Sequence, residues 1–413
     1  MVGPAILPRF ARINSRSGHR ERASRHSRTF RICGHAPGRA QLDVRSPAIL
    51  SETVGFDKRM PPLSRSDPRL PAKPSAGGRL LGYFRAHPIV CLALLTPGLP
   101  EYLSTSSPIL NLAVNPFWFF LQLLINVGQY TAGALLIREA VLRWHKGWGT
   151  VLLLGLAYGI TEEGLGDNTL FNSNHGADGI LGSFGRFAGV NWVWATGVLA
   201  FHVIYSIGLP ILLLGLALPQ TRGRSLLGRR GILVALASLA GATGLETVIV
   251  FGSFQFWMGT TLLVVSLAVI AVLVTLAYRV PAGIWRATRD RPTLSPGVAG
   301  LIGFSTFPVL FSLEYFVPYL GVPPVAIIAG EVAFLALNLE AVRRGIGRSA
   351  NEYLLVNLAF GFVLWQSVFG LLLTLGLPYN IPLVVLAVWF FMRLRRTYAP
   401  SPTVIIPPGA AAT

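Results

Sequence analysis

The chain has 413 residues, 52% of them hydrophobic and 13% charged, where an ordinary soluble domain carries about 25% charged residues. Its mean hydropathy is +0.57 and its sequence pI 10.9. With so few charges and such long apolar runs, a soluble globular fold is excluded and a multi-span membrane protein is expected. The formal charge of +18 raises nucleic acid or anionic lipid as partners. Seventeen of the 35 Lys and Arg lie before His87, and the rest recur in short clusters between apolar runs. Clusters of that kind are topology signals, so the expected partner is the lipid bilayer and not nucleic acid. Only Cys33 and Cys91 occur, without a CxxC, so no thiolate metal centre or disulfide framework is expected.

Residues 1–86 are rich in Arg, Ser, Pro and Gly, as in RINSRSGHRERASRHSR. They lack apolar periodicity and read as a disordered basic tail. No apolar h-region follows the first charges, so the tail is not a secretory signal peptide. It fits a transit peptide loosely, a basic arm at the cytoplasmic membrane surface, or residues preceding a later start such as Met60; the alternatives stay open.

From His87 the chain divides into about ten apolar segments, each near the ~20 residues needed to span the hydrocarbon core. They fall at 88–104, 115–144, 148–166, 191–218, 231–253, 257–279, 297–320, 323–342, 353–377 and 381–398. The first contains Pro97 and Pro100, so it reads as broken or re-entrant. Basic residues follow alternate segments: Arg143 and Lys146; Arg222, Arg224, Arg229 and Arg230; Arg286, Arg289 and Arg291; Arg343, Arg344 and Arg348; Arg393, Arg395 and Arg396. The opposite connections hold almost none, with Arg186 the clear exception. This alternation predicts a multi-pass protein of the cell membrane with both termini cytoplasmic. The one long outer connection is 167–190, rich in Gly and Asn, and it leads into Trp192 and Trp194, which read as an interfacial aromatic belt. Small residues four apart, Ala237/Gly241 and Ala240/Gly244, suit close helix packing. Residues 399–413 read as a disordered tail.

Ionisable groups inside a bilayer cost about +2.5 to +3.5 kcal/mol at a helix centre and usually mark function. Glu162 and Glu163 close the apolar run YGITEEGLGDN. At 3.6 residues per turn, adjacent side chains diverge by ~100°, so one glutamate at most points squarely at a given site. One acid would act as general base or metal ligand, with the other in support; alternatively the pair is hydrated at the outer boundary. Depth decides: a helix running on toward Asn172 sinks Glu163 to the level of His202, and one ending at Gly166 leaves a wet boundary.

His202, in LAFHVIYSIGLP, sits ~16 Å into its segment at 1.5 Å per residue. It reads as a metal ligand or acid/base partner of Glu163, or as a neutral ring bonded to a helix carbonyl or Ser206. His175, in the outer connection, reads alone as a solvated loop residue. Joined to Glu163 and His202, it makes a His2Glu set of the kind that holds catalytic Zn²⁺ with water in the fourth position. Glu101, Glu246, Glu314 and Glu331 are further acids in apolar surroundings. They read as a proton or ion relay, or as interhelical hydrogen bonders to Gln129, Asn126 or Asn338. Arg138 and Glu139 read as structural, snorkelling or paired. The chain holds no P-loop, GxGxxG or GxSxG.

The TEEGL pair followed by a membrane histidine in AFHVIYS resembles the intramembrane glutamate–histidine proteases, the CPBP and PrsW types. PGLPEYLSTSSP, YGITEEGLGDNTLFN, FGRFAGVNWVW and FHVIYSIGLPILL also resemble an uncharacterised family of prokaryotic polytopic membrane proteins. The protease likeness covers two short helices, and the chain departs from it at three points. Asp167 stands where EExxxR has Arg, Val198 where a Phe precedes the His, and no HxxxN follows. The fold expected is an all-α transmembrane bundle of about ten helices behind a basic tail. The resemblance implies an intramembrane hydrolase, metal- or glutamate-dependent, acting on a membrane-protein or peptide substrate through Glu162, Glu163 and His202. The competing expectation is a transporter coupled through Glu246, Glu314 or Glu331.

Overall fold

The computed structural model describes residues 82–174, 182–284, 292–347, 352–374 and 379–399. Apart from a helical stretch at 82–86, the basic tail lies outside them, as do His175, Arg286, Arg289, Arg291, Arg348 and residues 400–413.

The described chain is all-α apart from a two-residue hairpin. Its long helices are α1 (88–102), α2 (Pro116–Arg143), α3 (148–166), α4 (Trp192–Ala217), α5 (Arg229–Phe254), α6 (Gly259–Arg279), α7 (Pro296–Tyr315), α8 (Pro324–Gly345), α9 (Glu352–Leu373) and α10 (Ile381–Tyr398). Among the described residues, seven of these are long and apolar enough to cross a membrane. The expectation of about ten spans is therefore supported only as a multi-span bundle. The other three fall short for readable reasons. Pro97 and Pro100 interrupt α1, α3 ends in the polar TEEGLG, and the 18 residues of α10 carry Arg393, Arg395 and Arg396.

Helix starts follow local chemistry. Proline occupies the first turn of α1, α2, α7 and α8, where its missing N–H has no helical partner to lose. Asn115, Asn191 and Ser295 cap α2, α4 and α7, accepting from Trp118, Trp194 and Val298 backbone N–H groups. The break in α1 is held by other helices: Gln366 of α9 donates to the Pro100 carbonyl at 3.3 Å, and Asn380 to that of Leu103 at 3.3 Å.

Helix α4 is central. Ile207, Leu214 and Leu218 join a core with α1, α2 and α3. Tyr205, Leu209, Leu213 and Leu216 join a second core with α7, α9 and α10. By contrast α5, α6 and α8 are mostly exposed, as lipid-facing walls are. The small residues Ala237, Ala240, Gly241 and Gly244 lie on the exposed face of α5, so they make no close helix contact within this chain. The close approach occurs between α7 and α9. There a Cβ on Gly303 would meet the Leu358 carbonyl, and one on Gly361 the Gly300 carbonyl.

Four helices open into i→i+5 π turns: Gly98–Tyr102 in α1, Val127–Thr131 in α2, Ile160–Gly166 in α3 and His202–Gly208 in α4. Each inserts a residue into the α-helical register, and such turns are frequent at functional sites.

Candidate functional site

The four π turns carry the polar residues that meet inside the bundle. The one in α3 bears Glu162 and Glu163, and the one in α4 begins at His202. The widened turn shrinks the angular step between neighbours, and both glutamates reach one point. Glu163 Oε1 lies 2.7 Å and Glu162 Oε2 3.0 Å from His202 Nε2. This corrects the expectation that one acid at most faces the site. All three residues are buried, at 6%, 7% and 2% exposure.

The depth expectation is also corrected. The helix does end at Gly166, yet the pair is not a wet boundary. The chain from Asp167 folds back over it, burying Leu170 and Phe171 against Ala195 and Val198. Thr169 donates to Glu163 Oε2 and itself accepts from Trp194 Nε1 at 3.1 Å. Trp194 is thus turned inward, and only Trp192 is exposed as a belt residue would be. Arg186, the lone basic residue of this connection, donates to the carbonyls of Phe171 (2.8 Å) and Gly182 (2.6 Å) and ties the hairpin Arg186–Phe187/Val190–Asn191 to the cover.

The remaining contacts were not legible as a set. Tyr130 OH lies 2.9 Å from Glu162 Oε1 and 2.6 Å from Glu101 Oε1. Glu101 Oε2 accepts from Ser107, which accepts from Asn126 at 3.1 Å. His202 Nδ1 faces Ser206 Oγ at 3.0 Å. Tyr130 and Tyr158 flank the ring, with centroids 6.1 and 6.0 Å from it. Tyrosine in a membrane segment has an ordinary packing role, so the sequence singles out neither. The local signal was Gln129-Tyr130 within an otherwise apolar run.

Other candidates separate. Glu246 accepts from Gln129 at 2.7 Å, the interhelical bond expected of it, beside Gly166 where a Cβ would strike its carboxylate. Glu314 packs against Gly197 of α4. Glu331 is fully buried, and neither of its carboxylate oxygens is hydrogen-bonded among the described residues. Arg138 and Glu139 pair at 3.2 Å and do not snorkel. They belong to the far end of α2, where Arg138 also borders a cavity of about 70 Å³ with Trp148, Ile211 and Thr221.

Glu162 Oε2, Glu163 Oε1 and His202 Nε2 lie within 4.8 Å of one another. Glu162 Oε2 is buried and, apart from His202 Nε2 at 3.0 Å, has no hydrogen-bond partner among the described residues. Two carboxylates against one imidazole cannot both stay ionised in a low-dielectric interior unless their charge is offset, by a proton shared between them or by a divalent cation. The donor set suits zinc: three nitrogen and oxygen ligands with a further position for water.

No curated protein and no solved structure is significantly similar to the chain. A family model, described as an uncharacterized membrane protein family, matches residues 90–401. With several apolar helices long enough to cross a membrane, this is a multi-pass membrane protein in contact with the bilayer. On a match spanning well over half its length, the chain belongs to that uncharacterized membrane protein family.

Proposed function

We propose that this protein is a membrane-embedded hydrolase that cleaves amide bonds of membrane-protein or peptide substrates at Glu162, Glu163 and His202. The observation that carries the reading is the convergence of both carboxylates on His202 Nε2, at 2.7 and 3.0 Å, inside the bundle. Thr169 engages Glu163 Oε2 and leaves Oε1 for water. As the water oxygen adds to the carbonyl carbon, Glu163 accepts one of its protons. That proton passes to the leaving nitrogen as the C–N bond breaks, so one water is consumed and one acid and one amine are released. Glu162 Oε2 and His202 Nε2 would hold zinc, which would supply a Lewis acid and lower the pKa of a bound water, with Glu163 kept as the base. The basic connections at 144–147 and 219–228 support an orientation with that side in the cytoplasm and the hairpin at 186–191 outside.

The test compares new N-termini of membrane proteins, by mass spectrometry, between cells making the unmodified protein, Glu163→Gln or His202→Ala at equal abundance. Loss of a general base costs about 10²–10⁴-fold, so termini seen with the unmodified protein should vanish in both variants. Identical sets would sink the reading.

A second reading, ion-coupled transport, is supported by the buried carboxylate of Glu331 and by Glu314 Oε1, which have no hydrogen-bond partner among the described residues. Intramembrane acids of this kind serve proton relays. Pyranine-loaded proteoliposomes under an imposed pH gradient should then acidify faster with the unmodified protein than with Glu331→Gln. Equal rates would remove this reading.

A further inference from the structure

Each of the three donor groups presents one atom to the shared point, and a hydroxyl stands on its other atom. Glu162 Oε2 faces His202 Nε2, and Glu162 Oε1 lies 2.9 Å from Tyr130 OH. Glu163 Oε1 faces the same nitrogen, and its Oε2 accepts from Thr169. His202 Nδ1 lies 3.0 Å from Ser206 Oγ. The hydroxyls are buried, Tyr130 and Thr169 at 2% exposure and Ser206 at 0%. Two of them are anchored from behind. Glu101 Oε1 lies 2.6 Å from Tyr130 OH, whose single O–H serves Glu162 when a protonated Glu101 carboxyl donates to the phenol oxygen, and Trp194 Nε1 donates to Thr169 at 3.1 Å. That donation fills an acceptor position on Thr169 and leaves its single O–H for Glu163.

We infer that Tyr130, Thr169 and Ser206 are positioning residues that set which oxygen of each glutamate faces a bound divalent cation and hold the His202 ring with Nε2 toward it. The inference rests on the metal-assisted reading above. A carboxylate with both oxygens free can rotate or bind an ion through both. One whose second oxygen is engaged by a hydroxyl offers a single atom, as ligand or as base, in a fixed direction. For His202, Ser206 serves either tautomer. It donates to Nδ1 when Nε2 carries the hydrogen, and accepts from Nδ1–H when Nε2 is a ligand. The three hydroxyls arrive from α2, from the cover after α3 and from α4, so the site is complete only when these elements are docked together. Glu101, at the broken end of α1, adds a fourth element behind Tyr130.

The experiment measures zinc affinity of the full chain in detergent micelles by competition with a chromophoric chelator. It also records the visible spectrum of the cobalt-substituted protein, which reports ligand geometry. Loss of such a supporting contact weakens metal binding by about 10–100-fold. Tyr130→Phe and Thr169→Val should each show that loss and an altered cobalt spectrum. Thr169→Ser, which keeps the hydroxyl, should match the unmodified protein. Thr96→Val removes another fully buried hydroxyl, bonded to the Leu92 carbonyl and to Thr131 and to none of the three donor groups, and should change neither readout. Should Tyr130→Phe fail to fold, the Thr169 pair decides alone. Unchanged affinity and spectrum in Thr169→Val, with zinc bound by the unmodified protein, would overturn the inference and leave the metal reading standing. No zinc bound by the unmodified protein would overturn both.

Discussion

Arg138 lies on α2 two turns beyond Tyr130, and its guanidinium works entirely inside the protein. It donates to the carbonyls of Thr221 and Arg224, the latter at 2.8 Å, and to Glu139 at 3.2 Å. Glu139, 1% exposed, also accepts from the Leu226 N–H at 2.7 Å and Ser225 Oγ at 2.5 Å. The pair therefore fastens the α4–α5 connection to α2. Removing one partner of a buried pair costs about 3–5 kcal/mol, and Arg138→Ala also strands two carbonyls. Its thermal unfolding midpoint in detergent should drop sharply. Arg343→Ala breaks two bonds to Glu340 at the half-buried end of α8, where Arg344 still pairs with Glu340, and should lower the midpoint far less, since ion pairs open to solvent contribute little. Equal midpoints for Arg138→Ala and the unmodified protein would show that this fastening adds nothing to stability.

At the scale of elements, the helices were legible because apolar length, proline starts and basic ends are properties of single segments. The proximity of α3 and α4 was legible too, from the antiparallel pairing of consecutive segments. The π turns were not. A π turn replaces i→i+4 bonds by i→i+5 bonds and gains its place only through tertiary partners. Nothing in ITEEGLG or HVIYSIG distinguishes it from an α-helix. That single omission produced the error over Glu162 and Glu163, because the ~100° step holds for the α-helix alone. The cover at 167–172 escaped for a related reason. Whether a Gly- and Asn-rich connection folds back depends on Thr169 finding Glu163 and Trp194, and those contacts exist only once α3 and α4 are docked. Ser206, four residues after His202, needed only helical spacing and was legible as a partner; Tyr130 and Glu101 needed the whole bundle.

For the whole molecule, α4 joins the two cores and carries His202, so its path fixes which side of the membrane the site approaches. Phe187 lies on the hairpin before α4 and is 76% exposed, and Arg224 lies exposed in the basic connection after it. On the proposed orientation these positions face opposite compartments. The chain has only Cys33 and Cys91, so a background with both changed to Ala isolates any added thiol. In sealed right-side-out vesicles, a membrane-impermeant thiol reagent should label Phe187→Cys at once and Arg224→Cys only after permeabilisation. The reverse order would invert the orientation and put the cover over Glu163 in the cytoplasm. Labelling of both from one side would mean that α4 does not cross. His202 would then lie near a membrane surface, buried by the protein alone, and the proposed cleavage within the membrane would lose its setting.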